Sequence, residues 1–447
     1  MDNQPQKSYL SHVVMLISCV LILSVGAFFI PDFTVCGYEF KKVDFLKDIK
    51  EKKKTNLASV KTIKKQFVDI CPEGYVCIED YSKDKTALAK VFEALCDKNQ
   101  LTRMAFFGDS FIDGDIFTAE IRKLLQEHFG GAGVGFVPIA SETSGFRQTI
   151  RHSFSGIESF NIIQDKLASG YAAGGYFFKA TGKSNVTYSG VDNDSKLGTL
   201  GNIQLFYSGP SRMNFSYRMN GQSGQLEADA TSQIKSLKLS GSNSKSITFS
   251  FPESQSTKLY GASFEGSNGV VLDNFGLKSN SGIALSKISN ENWQEFNQLR
   301  DYKLIVLQFG LNVLNSKTKK LDWYVKSMIE LVERIKQSCP GASILILGIP
   351  DRSVKIDGEY QTMPTIPMMI EAQREIAKKT GVAFWDMFSG MGGENSMISY
   401  VQNKPALANK DYTHLTFKGG EKLAGVFSRT FIHHFNNYSN RKKQAAN

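Results

Sequence analysis

The 447-residue sequence has little of what metal, redox or nucleic-acid chemistry needs. It holds six cysteines and six histidines, and none stand at the ligand spacing of a zinc site. The glycine-rich run Gly130-Gly131-Ala132-Gly133-Val134-Gly135 only superficially resembles a dinucleotide loop. It follows a helical pattern instead of opening one, so it reads as a helix stop beside a tight loop. No metal or cofactor is expected. Basic charge is scarce on the body of the chain, although the net charge is +10. Ten lysines against three acids (Asp44, Asp48, Glu51) lie between Lys41 and Lys65, and Arg441, Lys442 and Lys443 supply the rest. A nucleic-acid binder carries its basic stripe on the fold itself, so nucleic acid is excluded as a partner. Long apolar runs are scarce too. Val13 to Ile30 is an uncharged run of 18 residues, at the lower edge for a membrane span. An uncleaved anchor is the favoured reading and a signal peptide cleaved near Val25-Gly26-Ala27 the competing one. An anchored domain outside the cytoplasm is expected. Lys41, Lys42, Lys47 and Lys50 behind the span oppose that orientation, a bias that large translocated domains often ignore. No apolar lid or long greasy stretch lies beyond residue 110, which argues against a lipase or thioesterase.

What is present is organised around Arg103-Met104-Ala105-Phe106-Phe107-Gly108-Asp109-Ser110-Phe111-Ile112-Asp113-Gly114-Asp115. Met104 to Phe107 reads as a buried strand, and Phe117 to His128 has apolar positions at helical spacing. Ser110 thus stands where a strand hands over to a helix, with backbone N–H groups ready for developing negative charge. Near the other end, Asp411 and His414 are three residues apart in Lys410-Asp411-Tyr412-Thr413-His414-Leu415-Thr416. In a turn that carboxylate reaches Nδ1–H and leaves Nε2 as a base, the logic of a Ser–His–Asp triad. No other histidine has a loop carboxylate at this spacing.

Gly108-Asp109-Ser110, Gly310-Leu311-Asn312 and Asp411-x-x-His414, in that order, resemble the SGNH/GDSL hydrolase family over about residues 100–144 and 265–435. The resemblance implies a flavodoxin-like three-layer α/β/α fold and cleavage of esters, often acetyl groups on carbohydrate. It assigns Ser110 as nucleophile, His414 as base and Asp411 as its orienting partner. The oxyanion hole it implies is built from the Ser110 N–H, the Gly282 N–H and the Asn312 amide, with Gly276 as the rival glycine. The family often has Asp after that asparagine; here it is Val313.

The remaining texture sets the expected organisation. Residues 1–12 form a short tail, 13–30 the membrane helix, 31–97 a Lys-rich tether and 98–144 the first part of the hydrolase domain. Residues 145–264 change character: Ser, Gly and Asn dominate, and short alternating runs such as Ile203–Tyr207, Met213–Tyr217 and Ser246–Phe251 are separated by turn signals. They predict an inserted antiparallel β-sandwich that resembles carbohydrate-binding modules. Tyr171, Tyr176, Phe177, Phe178, Tyr207 and Tyr217 are either its core or sugar-stacking faces, with core the stronger reading. Residues 265–437 return to strand–helix alternation, and 438–447 form a basic tail. Cys71 and Cys77 bracket a short loop and are expected to pair in an oxidising compartment. The expected partners are an O-acetylated carbohydrate and, through the N-terminal helix, a membrane. The expected activity is hydrolysis of O-acyl esters, acetyl foremost, on a glycan such as peptidoglycan. An O-acetyltransferase with the same triad and a glycan-binding protein with an inert hydrolase domain are the alternatives.

Overall fold

The computed structural model describes residues 14–16, 18, 33–35, 38–40, 71–165, 168–192, 194–241 and 244–446. Two units separate, residues 1–68 and 69–447. In the first, β1 (Phe33–Val35) pairs antiparallel with β2 (Tyr38–Phe40). Most of the expected membrane helix at 13–30 lies outside the described residues, and no helix among those described is long and apolar enough to cross a membrane.

The second unit opens with β3 (Glu79–Asp80), α1 (Ala89–Leu95), β4 (Leu101–Gly108) and α2 (Thr118–Phe129). Nine strands follow: β5 (Gly135–Pro138), β6 (Arg151–Asn161), β7 (Tyr176–Ser189), β8 (Gly201–Gly209), β9 (Met213–Met219), β10 (Gln222–Ala228), β11 (Thr231–Gly241), β12 (Ser246–Phe251) and β13 (Ser254–Glu265). Alternation then resumes with β14 (Gly269–Gly276), α3 (Asn290–Arg300), β15 (Tyr302–Gln308), α4 (Asp322–Ser338) and β16 (Ser343–Leu347). A hairpin of β17 (Ser353–Ile356) and β18 (Glu359–Thr362) precedes α5 (Ile366–Thr380) and β19 (Ala383–Trp385). Short α6 (Met387–Met391) and α7 (Ser396–Gln402) lead to the closing α8 (Phe417–Ala446).

The alternating segments build a six-stranded sheet in the order β14-β4-β15-β16-β19-β3, parallel except where β3 meets β19. Its strands are apolar on both sides because both faces are covered. Met104, Phe106, Val306 and Leu345 pack with α1, α2 and α8, whereas Phe107, Ile305, Leu307 and Ile346 pack with α3, α4 and α5. By chain order the five parallel strands stand 2-1-3-4-5. The order therefore reverses beside β4, so the loops after β4 and β15 diverge over the carboxyl edge and leave a crevice between them.

The other nine strands form one antiparallel sheet, whose apolar side belongs to the same core as α3 and α4. It begins earlier than residue 145, since β5 bonds to β13 from Gly135↔Phe264 to Pro138↔Gly261. Part of the expected tether also lies inside this unit: β3 pairs with β19, α1 buries Val91, Phe92 and Leu95, and the Trp385 indole donates to the Val76 carbonyl at 2.8 Å. A disulfide joins Cys71 to Cys77. The basic residues expected as a tail are the last turns of α8. Of the six aromatics read as core before sugar-stacking faces, Tyr171, Tyr176, Phe177, Phe178 and Tyr207 are buried core.

A candidate active site at the carboxyl edge

Residues distant in sequence meet at the crevice because β4 and β15 are paired neighbours, Gly108 opposite Gln308. The chain beyond β4 turns at once. The Asp109 carbonyl accepts from Ile112 N–H at 3.1 Å and Asp113 N–H at 3.0 Å, leaving Ser110 half-buried at the apex. Two glycines make this turn possible. A Cβ on Gly108 would lie 2.1 Å from the Ile112 side chain, and one on Gly276 would lie 2.2 Å from the Asp113 nitrogen.

Ser110 Oγ stands 3.1 Å from His414 Nε2, and His414 Nδ1 stands 2.8 Å from Asp411 Oδ2. The tautomer with its proton on Nδ1 satisfies both contacts and leaves Nε2 as acceptor for the serine hydroxyl. The other Asp411 oxygen accepts the backbone N–H groups of Thr413 and His414, each at 3.0 Å. Burial works to raise the Asp411 carboxyl, but these hydrogen bonds with His414 and Thr413 outweigh it and hold it below its ordinary value. The loop is braced from outside: Ser353 N–H donates to the Tyr412 carbonyl at 3.0 Å, and Tyr360 of the hairpin stacks on Tyr412 at 3.6 Å.

Asn312 occupies the short turn after β15. Its amide donates to Asp109 Oδ2 at 3.0 Å and to the Asn280 carbonyl at 3.2 Å. Asp109 is a buried acid with no cation bound to it; its other oxygen accepts Phe111 N–H at 2.9 Å. Burial pushes its carboxyl up to about 6, against the pull of the Phe111 N–H and of His414.

The glycine expected in the oxyanion hole is placed differently. Gly282 N–H already donates to Asn280 Oδ1 at 2.9 Å, and a Cβ on Gly282 would face Phe309 and Met328. The rival Gly276 N–H donates to Asn274 Oδ1 at 2.8 Å. The residue this loop brings to Asn312 is Asn280, because two Asx-type bonds curl the chain inward there. The structure thus brings together Ser110, Asp411, His414 and Asn312, and points the Gly282 N–H elsewhere. Sequence reading gave no part to Asp109, Asn280 or Tyr360. Asp109 had a signal, its place in Gly-Asp-Ser; the other two act through contacts that no local pattern encodes. Among the described residues no group of His, Cys, Asp or Glu is arranged to hold a metal ion.

No family model and no curated protein matches this sequence. Among solved structures, one described as a peptidoglycan O-acetylesterase in action covers 80% of this chain and 99% of its own, at 20% identity and a TM-score of 0.66. A family two carbohydrate esterase from Clostridium thermocellum in complex with cellohexaose aligns at 11% identity over 63% of this chain and 99% of its own, with a TM-score of 0.26. An acetyl xylan esterase aligns at 16% identity over 35% of this chain and 79% of its own, with a TM-score of 0.28. These two superpose too loosely to carry weight. Over four-fifths of its length, then, this chain has the fold of the peptidoglycan O-acetylesterase it resembles.

Proposed function

We propose that this chain is a serine esterase of the SGNH type that removes O-acyl groups, acetyl foremost, from a carbohydrate such as peptidoglycan. The observation that carries the reading is the continuous Ser110–His414–Asp411 relay of 3.1 and 2.8 Å, set at the crevice where an open α/β sheet holds its ligand. The fold shared with a peptidoglycan O-acetylesterase supports the substrate class.

In this mechanism Ser110 Oγ attacks the ester carbonyl carbon while its proton passes to His414 Nε2. Negative charge develops on the carbonyl oxygen and is met by Ser110 N–H and by the Asn312 amide, which turns toward it by giving up its bond to Asp109 or to the Asn280 carbonyl. Collapse of the tetrahedral species breaks the bond to the sugar oxygen, which leaves with the proton from His414. Water, deprotonated by the same imidazole, then attacks the acyl-enzyme and releases acetate and free serine. Asp411 keeps its charge throughout and stabilises the imidazolium. We place the enzyme outside the cytoplasm, which the Cys71–Cys77 disulfide supports.

The test is acetate release from O-acetylated peptidoglycan and from acetylated xylan by the wild-type chain and Ser110→Ala. We expect turnover on one of these glycans and a loss of at least about 10³-fold in the variant, with an unchanged thermal transition. Activity that survives in Ser110→Ala refutes the proposal.

A further inference from the structure

Beside the Ser110 turn lies a hollow of about 500 Å³, which neither Ser110 nor His414 lines. Its size falls in the range of small-ligand sites, roughly 300–1,000 Å³. One wall is the Asp113–Gly114 end of the nucleophile turn together with Gly276 to Ser279, and the other is β6 with Phe154, Ser159 and Phe160. The first wall is tied to the catalytic apparatus, since Leu277 N–H donates to the Gly108 carbonyl at 3.0 Å, directly before Asp109 and Ser110.

The chemistry of the lining is specific. Arg147 reaches into it with a side chain only 10% exposed. Its Nε donates to Thr149 at 3.0 Å, and one Nη lies 3.3 Å from Asp115 but makes no hydrogen bond. Tyr176 is buried next to it, and burial raises its phenol far above the ordinary value, so the hydroxyl keeps its proton. Asp113 accepts from Thr143 at 3.0 Å and from Gly114 N–H at 2.9 Å through one oxygen, which leaves the second for a ligand. Phe154 is 38% exposed, unlike the core aromatics of the same sheet. The charged lining balances, Asp113 and Glu142 against Arg147 and Lys278, so the hollow does not select an ion.

A ligand suited to these walls is uncharged, has an apolar face for Phe154, and carries a belt of hydroxyls for a planar guanidinium and carboxylate. A pyranose ring has those properties. We propose that the hollow is a saccharide subsite holding an uncharged sugar residue next to the acylated one, so that the antiparallel sheet contributes directly to substrate selection. This rests on the esterase reading above.

Two variants at exposed positions of β6 test it: Phe154→Ala removes the apolar face, and Ser159→Trp fills the space. The readout is the ratio of kcat/KM on an O-acetylated oligosaccharide to kcat/KM on p-nitrophenyl acetate, which has no second ring. We expect the ratio to fall about five- to tenfold in Phe154→Ala, the order of one aromatic contact, and further in Ser159→Trp. Binding of the deacetylated oligosaccharide to Ser110→Ala protein should weaken by the same factor when Phe154→Ala is added. A ratio within twofold of wild type in both variants overturns the subsite. Glycan turnover that does not depend on Ser110 overturns the esterase reading instead, so the two failures are distinguishable.

Discussion

Two groups of buried acids sit on the same parallel sheet and are treated in opposite ways. On the side toward the antiparallel sheet, Arg300 is fully buried and binds Asp273 at 2.8 Å and Glu265 more closely still, while Arg103 binds Glu265 at 2.8 Å and the Tyr302 hydroxyl donates to Asp273 at 2.6 Å. Burial would raise Glu265, but Arg300 and Arg103 win and hold it down at about 2. At the carboxyl edge, Asp109 is equally buried, bonds only to N–H groups, and rises to about 6. One group neutralises its charge and ties β4, β13, β14 and α3 together. The other keeps an unneutralised carboxylate against the Asn312 amide. The two therefore carry opposite pH signatures. The contribution of Glu265 is complete above its ordinary 4.5 and is lost as pH falls through about 2. The cost of Asp109 is absent below its ordinary 3.8 and grows as pH rises through about 6.

The largest effect expected from breaking this contrast is at the neutralised group. Arg300→Leu leaves Asp273 and Glu265 buried without their main cation and should destabilise by about 3–5 kcal/mol, read as a lowered urea midpoint. An unchanged midpoint would show that the seam does not depend on its ion pairs. Asn312→Ala should lower kcat by about 10²–10³ with KM little changed, as for loss of one oxyanion donor; a rise in KM alone would assign the amide to ground-state binding. Asp109→Asn should be more favourable to stability at pH 8 than at pH 3.5, by up to about 3 kcal/mol, on top of a pH-independent cost because its amide nitrogen must oppose the Phe111 N–H or the Asn312 amide. The same change should cost about tenfold in kcat, because Asn312 loses a charged acceptor. Equal shifts of the unfolding midpoint at both pH values would refute the unneutralised carboxylate. Smallest is Tyr360→Ala, which removes the ring stacked on Tyr412 and should cost about 1 kcal/mol of rigidity in the His414 loop, seen as a few-fold loss in kcat. An unaltered kcat would make the hairpin a bystander.

Much of the geometry around Ser110 was legible in the primary structure. Ser110 was read from a short apolar run stopped by glycine and followed by helical spacing, and β4 and α2 stand there. His414 was read from a carboxylate three residues away, a spacing that lets one turn close on itself, and the Asp411 carboxylate does so with three donors. Gly282 failed for an equally physical reason. A glycine in a loop shows that the backbone needs freedom, and φ is +89° there, yet says nothing of where its N–H points. The aromatics of the antiparallel sheet were ambiguous because period-two alternation marks an inward face only once it is known which side is covered. Phe154 gives no signal in the sequence, since a lone phenylalanine among serines carries no pattern.

What the residues alone determined is local: strands and helices from their periodicities, the Ser110 turn from Gly108 at the strand's end, and the Asp411–His414 contact from its spacing. These follow from interactions within a few positions along the chain. Only the tertiary structure decided that His414 faces Ser110 across 304 positions, that Asn312 leans on Asp109, and that β6 walls a hollow beside the Ser110 turn. Those contacts depend on which strands become neighbours, and strand order is set by burial of the whole sheet on both faces rather than by any single segment.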